Sequence, residues 1–238
     1  MIKLTAKISP FTTFCEGSSS IEKDFTVFYK FYKRNYSSYL SKNKKAKILV
    51  LSCGNGYFLS FLKQKGYTNV FGVDSDGQKI SYALNKGFNC QKANGFSFLA
   101  RNRSKFDMII SEQELNHLTK EEVLLFFKNC FAALKPKGRF LCHAINSANP
   151  LTAPDAIGQN FDHYSFFTEN SLRQLFMLSG FKNAKAIPLD YYVFYSNPLN
   201  YPAKLLTSSF HIFFRFVFKL YGKPDKIFTK KIAGLGVK

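Results

Sequence analysis

Acidic residues are scarce in this chain of 238 residues: 15 Asp and Glu stand against 34 Lys and Arg, a formal net charge of +19. A surplus of that size raises the local concentration of anions such as phosphates, nucleic acid or acidic lipid. The basic residues form no single block. They recur in every segment, with local density from Lys42 to Lys47 and near the C-terminus, so a solvated lysine-rich surface is the plainer account. Paired cysteines are lacking too. The five cysteines (15, 53, 90, 130 and 142) are odd in number and contain no CxxC pair, which argues against a disulfide framework or a zinc site and for a reducing compartment. No stretch supplies the roughly 18 uncharged apolar residues that a spanning helix needs. The opening MIKLTAKISPFTTF has no long apolar core of signal-peptide type. The expected address is the cytoplasm.

What is present is enough apolar material for one core: 46% hydrophobic residues, 28 of them Phe. At this length the chain suits a single domain. Strand-like runs alternate with helical ones through residues 46–146. AKILVLS is followed by a CGNG turn and the helix YFLSFLKQKG; NVFGVD by DGQKISYALNKG; then come NCQKAN, FDMIIS, the helix TKEEVLLFFKNCFAALK with its Thr119–Glu122 capping pair, a PKG turn, and RFLCHAIN. That alternation predicts βαβ units in a doubly wound parallel sheet. Before it, residues 24–45 carry a leading helix with aromatics at helical spacing, among them Tyr29, Tyr32 and Tyr36, suited to packing or to capping a pocket. After it, residues 147–190 supply a loop, the helix SFFTENSLRQLFMLSGF and the strand AKAIPLD. Residues 227–238 hold a last strand, KKIAGLGVK.

Between those strands, residues 191–226 form an aromatic and basic insertion. If 203–221 is helical, Lys204, Ser208, His211, Arg215 and Lys219 share one narrow face, and nearly all else is Phe, Leu, Ile or Val. Two readings stay open: a helix lying on an anionic membrane, peripheral on its inner face, or a helix packed on this protein or on a second subunit. Oligomeric state is open with it.

The turn after the first strand carries the chemistry. Glycines there let a ligand approach the backbone, and ligands of doubly wound sheets sit beyond the strands' carboxyl ends. Gly54 and Gly56 supply that freedom, and Asp74 ends the next strand, where a carboxylate can accept both hydroxyls of a ribose. A dinucleotide fingerprint requires a third glycine where Leu59 stands, so it fails. No GxxxxGK[ST] occurs, which excludes a P-loop. A tight turn without pyrophosphate machinery suits S-adenosylmethionine.

The stretch ILVLSCGNGYFLSFLKQKGYTNVFGVDSDGQKISYA resembles the first two motifs of class I S-adenosylmethionine-dependent methyltransferases. KFDMIISEQELNHLTKEEVLLFFKNCFAALKPKGRFLCHAIN is similar to that family's strand four, "EHL" helix start and "LKPGG" turn. QNFDHYSFFTENSLRQLFMLSGF resembles the "DFTHExxFTPxSLRxLLxxAGF" stretch of relatives found in capsule and lipopolysaccharide biosynthesis. The resemblance implies an α/β fold: a Rossmann-like seven-stranded sheet with its last strand antiparallel, a leading N-terminal helix and a Phe-rich helical insertion. It implies S-adenosylmethionine as cofactor, S-adenosylhomocysteine as product, and no metal. Ser52, Cys53, Gly54 and Gly56 would line the methionine end, Asp74 with Ser75 beside it would hold the ribose, and Asn94 would meet the adenine amino group. Glu112 and Gln113 would look onto the methyl-bearing sulfonium. The sequence departs from the family at Val50, where relatives carry an acid, at Ser52 and Lys137, where they carry Gly, and at Asn116, where they carry Glu. Loss of one charged hydrogen bond at position 50 would cost about 1.5–3 kcal/mol.

For catalysis, the "DFTHE" histidine corresponds to His163, the candidate general base, and the "EHL" histidine to His117, the second candidate. Each has a plainer role, in loop bonding or at a helix start. His143, inside strand five, faces either the pocket or the sheet's surroundings. The leading function is O-methylation of a sugar or of a phosphorylated or nucleotide-activated precursor of a bacterial surface polysaccharide. A non-catalytic methyltransferase-like partner of the same pathway is the alternative. A nucleic-acid methyltransferase ranks lower, because the [DN]PP[YF] loop of base-amino enzymes is replaced by SEQE.

Overall fold

The computed structural model describes residues 21–112, 115–158, 161, 163–190 and 198–238. Helix α1 (Ile21–Tyr36) precedes strand β1 (Ile48–Leu51), helix α2 (Tyr57–Gln64), β2 (Val70–Asp74), α3 (Gly77–Asn85), β3 (Cys90–Lys92), α4 (Gly95–Arg101) and β4 (Phe106–Ser111). Next come α5 (Lys120–Ala133), β5 (Leu134–Ile145), α6 (Ala153–Gly158), α7 (Glu169–Leu178), β6 (Lys182–Pro188), α8 (Asn200–Leu220) and β7 (Lys231–Val237). The seven strands lie in the order β3-β2-β1-β4-β5-β7-β6. β1 pairs in parallel with β2 and β4, and β7 runs antiparallel between β5 and β6. This is the expected methyltransferase-type sheet.

Apolar side chains on the two faces of the sheet build two cores. On one face Val50, Ile110 and Leu141 meet α1 and α2 through Tyr32, Phe58 and Phe61; on the other, Leu51, Ile109 and Phe140 meet α5 and α7 through Phe127 and Phe176. Alternation along each strand therefore fixes which side chains belong to which layer. The capping pair forms as read: Thr119 Oγ1 accepts from the Glu122 amide while Glu122 Oε2 accepts from the Thr119 amide.

Three boundaries differ from the sequence reading. The leading helix starts at Ile21 and ends at Tyr36, then tightens into a 3₁₀ turn over Ser37–Tyr39. It does not reach residue 45, because the polar run SSYLSKNKK offers no apolar stripe to bury. The PKG segment is no turn outside the strand: β5 runs through it, with a register shift against β4 between Phe106 and Met108. Helices α4 and α6, of 7 and 6 residues, are too short to show a helical period. The insertion does contain a long helix, and it spans Asn200–Leu220.

Candidate functional site

The turn between β1 and α2 is built on left-handed backbone. Ser52, Gly54 and Gly56 have φ of 53°, 51° and 92°, a region that costs a non-glycine residue roughly 1–2 kcal/mol. Family glycine at position 52 thus has a backbone cause, and Ser52 keeps the same conformation with a side chain attached. The same holds at Lys137, whose φ is 63°. At Gly54 an added Cβ would meet no atom within 4 Å, so the space above the turn is open; at Gly56 it would strike Phe88, 2.6 Å away.

Asp74, at the carboxyl end of β2, closes the cradle from the side. Its Oδ2 accepts from the Gly54 amide at 2.8 Å and its Oδ1 from the Asp76 amide at 2.8 Å. Two charge-assisted bonds fix the carboxylate, and its remaining lone pairs suit ribose hydroxyls. A nucleoside with a methionine tail fits this donor set and the open space over Gly54. Ser75 is exposed beside it. Asn94 caps α4, its Oδ1 accepting from the Ser97 amide at 3.1 Å. Cys53 faces away from the cleft: its thiol is buried near Gly72, and burial, helped by the charge of Asp74, pushes its pKa well up. Its backbone serves the turn, since its carbonyl accepts from the Gly56 amide. Val50 is fully buried among apolar neighbours.

The acid missing from β1 has a neighbour on β4. Glu112 follows the last residue of β4, and its amide donates to the Leu51 carbonyl at 2.9 Å. By alternation from Ile110, its side chain belongs to the α1 face. There Tyr32 of α1 donates to Glu112 Oε2 at 2.6 Å, and His143 Nδ1 stands 3.9 Å from Oε1. The sequence singled out Tyr32, Glu112 and His143 separately; the fold joins them across 80 and 31 positions. Gln113 lies outside the described residues, as does Asp162, a flank of His163.

His163 and His117 are brought together, their ring centroids 4.7 Å apart at 71°. The clamp is backbone: the Tyr164 and Ser165 amides both donate to the Asn116 carbonyl, and Ser165 Oγ donates to the Leu118 carbonyl. His163 Nδ1 bonds the Ala156 carbonyl. A carbonyl can only accept, so Nδ1 carries the proton and the basic lone pair of the neutral ring sits on Nε2.

A second concavity, of about 810 Å³, lies between α1, the end of β6 and α8. Its walls include Arg34, Lys204, Arg215 and Lys230 against one carboxylate among the described residues, that of Asp190, with Ser38, Thr152, Thr207 and Ser208 as hydroxyls. The Thr152 hydroxyl is buried and has no hydrogen-bond partner among the described residues. Strand register places this cavity at the carboxyl end of the sheet's parallel strands: Pro188 pairs with Ile232, which pairs with Ala144 near the carboxyl end of β5. His211 also lines it; burial, and then the Arg215 charge, lower its pKa. Sequence reasoning missed this cavity, because its walls come from five separate stretches of chain between Arg34 and Lys230.

A family model described as a methyltransferase domain matches residues 27–186. The protein YqeM of Bacillus subtilis (strain 168), named as a methyltransferase, is 34% identical over 104 residues, which are 41% of this chain and 42% of that protein. The chain therefore covers less than half of that relative's length. Among solved structures, a SAM-dependent methyltransferase from Archaeoglobus fulgidus superposes with a TM-score of 0.66 at 16% identity, over 90% of this chain and 94% of that one. One from Thermotoga maritima, described as a possible histamine N-methyltransferase, gives 0.62 at 14% identity, over 91% and 93%.

Proposed function

This chain belongs to the class I S-adenosylmethionine-dependent methyltransferases, and from that premise we propose that it O-methylates a phosphorylated or nucleotide-activated sugar precursor of a bacterial surface polysaccharide. When bound, S-adenosylmethionine would supply an electrophilic methyl group to an acceptor oxygen in line with its C–S bond, leaving as S-adenosylhomocysteine. The chain's own work is to hold the reactants and to take the acceptor's proton. The 52–56 turn and Asp74 hold the cofactor, and Asn94 offers an amide near its adenine end. His163 accepts the hydroxyl proton at Nε2, while the Ala156 carbonyl keeps Nδ1 protonated. Tyr32, Glu112 and His143 form a polar wall at the carboxyl ends of β4 and β5.

The observation that carries the O-transfer reading is the bond from His163 Nδ1 to the Ala156 carbonyl, which puts the lone pair of the neutral ring on Nε2. Support for a phosphorylated acceptor comes from the cavity's four Lys and Arg side chains facing one carboxylate. Support for a surface-glycan precursor is the resemblance of the 159–181 stretch. The test is transfer of a labelled methyl group from S-adenosylmethionine to a panel of nucleotide sugars and sugar phosphates, with the product's linkage assigned by NMR. An oxygen-linked methyl on a phosphorylated sugar is the expected product; an amine-linked product would sink the reading. His163→Gln is expected to lower kcat about 10²-fold or more with cofactor affinity unchanged.

A second reading, a methyltransferase-like partner without catalysis, is favoured by Val50. It is wholly buried and offers the cofactor no charge. Calorimetry separates the two: no heat of binding at millimolar S-adenosylmethionine selects the partner.

A further inference from the structure

Helix α8 turns its polar stripe toward the protein and its apolar side toward solvent. Lys204 Nζ bonds Asp190 at 2.7 Å, Arg215 Nε donates to the Lys226 carbonyl at 2.6 Å, and Ser208 and His211 line the cavity. On the adjoining side Phe214 and Phe218 meet Phe228, with ring centroids 5.8 and 4.6 Å apart. What remains is apolar but for Ser209, whose hydroxyl donates to the Leu205 carbonyl. Leu205, Ile212, Phe213, Phe216 and Leu220 are 70, 66, 57, 61 and 69% exposed, and at 3.6 residues per turn they share an arc of about 100°. No residue of this 21-residue helix is buried. Soluble monomers rarely leave so large a contiguous apolar patch in water; such patches mark interaction surfaces.

Charge selects the occupant. From Asn200 to Phe228 the chain carries Lys204, Arg215, Lys219, Lys223 and Lys226 against one acid, Asp225. A second copy would itself carry a net charge of +19 and be repelled, whereas an anionic lipid surface attracts the chain. No helix among the described residues is long and apolar enough to cross a membrane, but a flat helix of about 31 Å with a Leu/Phe face and lysine flanks has the form of an interfacial helix. We propose that α8 docks this protein on an anionic lipid bilayer, with Ile212, Phe213, Phe216 and Leu220 in the acyl boundary and the flanking lysines among the head groups. The docking is independent of which acceptor the enzyme methylates.

The chain contains no Trp, so one introduced indole is an unambiguous reporter. The full chain bearing Phe213→Trp is mixed with phosphatidylglycerol/phosphatidylcholine vesicles or with pure phosphatidylcholine vesicles. A blue shift and quenching by brominated acyl chains are expected with the anionic vesicles. Leu125→Trp, exposed on α5, is expected to stay silent. In sedimentation, the pair Ile212→Asp and Phe216→Asp is expected to weaken vesicle binding at least tenfold with an unchanged circular dichroism spectrum. The proposal is overturned if wild type ignores anionic vesicles at low salt, if it binds neutral ones equally, or if the double variant still binds. A concentration-dependent dimer that the double variant abolishes would assign the patch to a second copy, again overturning it. So would vesicle binding that begins only after residues 1–20 are deleted.

Discussion

Two family departures share one cause at the level of single residues. Ser52 and Lys137 occupy positions of φ near +53° and +63°, where a side chain costs about 1–2 kcal/mol. Glycine relieves that cost but gives back roughly 0.5–1 kcal/mol through its freer unfolded chain. Lys137→Gly is therefore expected to stabilise the protein by about 0.5–1 kcal/mol, seen as a rise of about 1–4 °C in melting temperature. No rise would show that the Lys137 side chain earns its strained backbone. Asp74 is the other decisive residue, because the cleft has it as the partner of the Gly54 amide. Removing a charged hydrogen-bond partner costs about 1.5–3 kcal/mol, so Asp74→Ala is expected to weaken S-adenosylmethionine about 10- to 150-fold in calorimetry. Unchanged affinity would place the ribose elsewhere.

Among the elements, β7 illustrates how closely a strand can be covered. A Cβ at Gly234 would come 2.5 Å from the Phe176 ring and 3.0 Å from Leu172 of α7, and one at Gly236 would collide with the same ring. Both neighbours are fully buried, so neither can swing away. Gly234→Ala is expected to cost about 1–3 kcal/mol by overpacking, against no loss for Gly158→Ala, which meets nothing within 4 Å. Equal melting temperatures for the two variants would refute that packing. The strands, the turn glycines and Asp74 were legible in the sequence, since each depends on neighbours within a few positions. Tyr32 and Glu112 read as two unrelated residues, because their bond spans 80 positions of chain. For α8, periodicity revealed a basic stripe but could not say which side faces the protein. Only Asp190 and the Lys226 carbonyl, neither of them in the helix, decide that.

For the molecule as a whole, the question is whether +19 is merely solvated surface or part of the reaction. The cavity gives the charge an address: four cationic side chains, one carboxylate and a buried Thr152 hydroxyl at the carboxyl ends of β5 and β6. Screening tells the two accounts apart. The Debye length shrinks from about 30 Å at 0.01 M salt to about 8 Å at 0.15 M, so attraction of a phosphorylated acceptor toward a basic cleft fades over that range. S-adenosylmethionine, itself net positive, gains nothing from the same field. KM for a nucleotide sugar is therefore expected to rise several-fold between these salts, while that for S-adenosylmethionine stays flat or falls and kcat holds. Arg34→Gln with Lys204→Gln is expected to weaken the salt dependence, because only Arg215 and Lys230 then remain and Asp190 offsets half of their charge. If the acceptor's KM ignores salt in the wild type, the cavity does not receive a charged acceptor, and the surplus belongs to the rest of the surface.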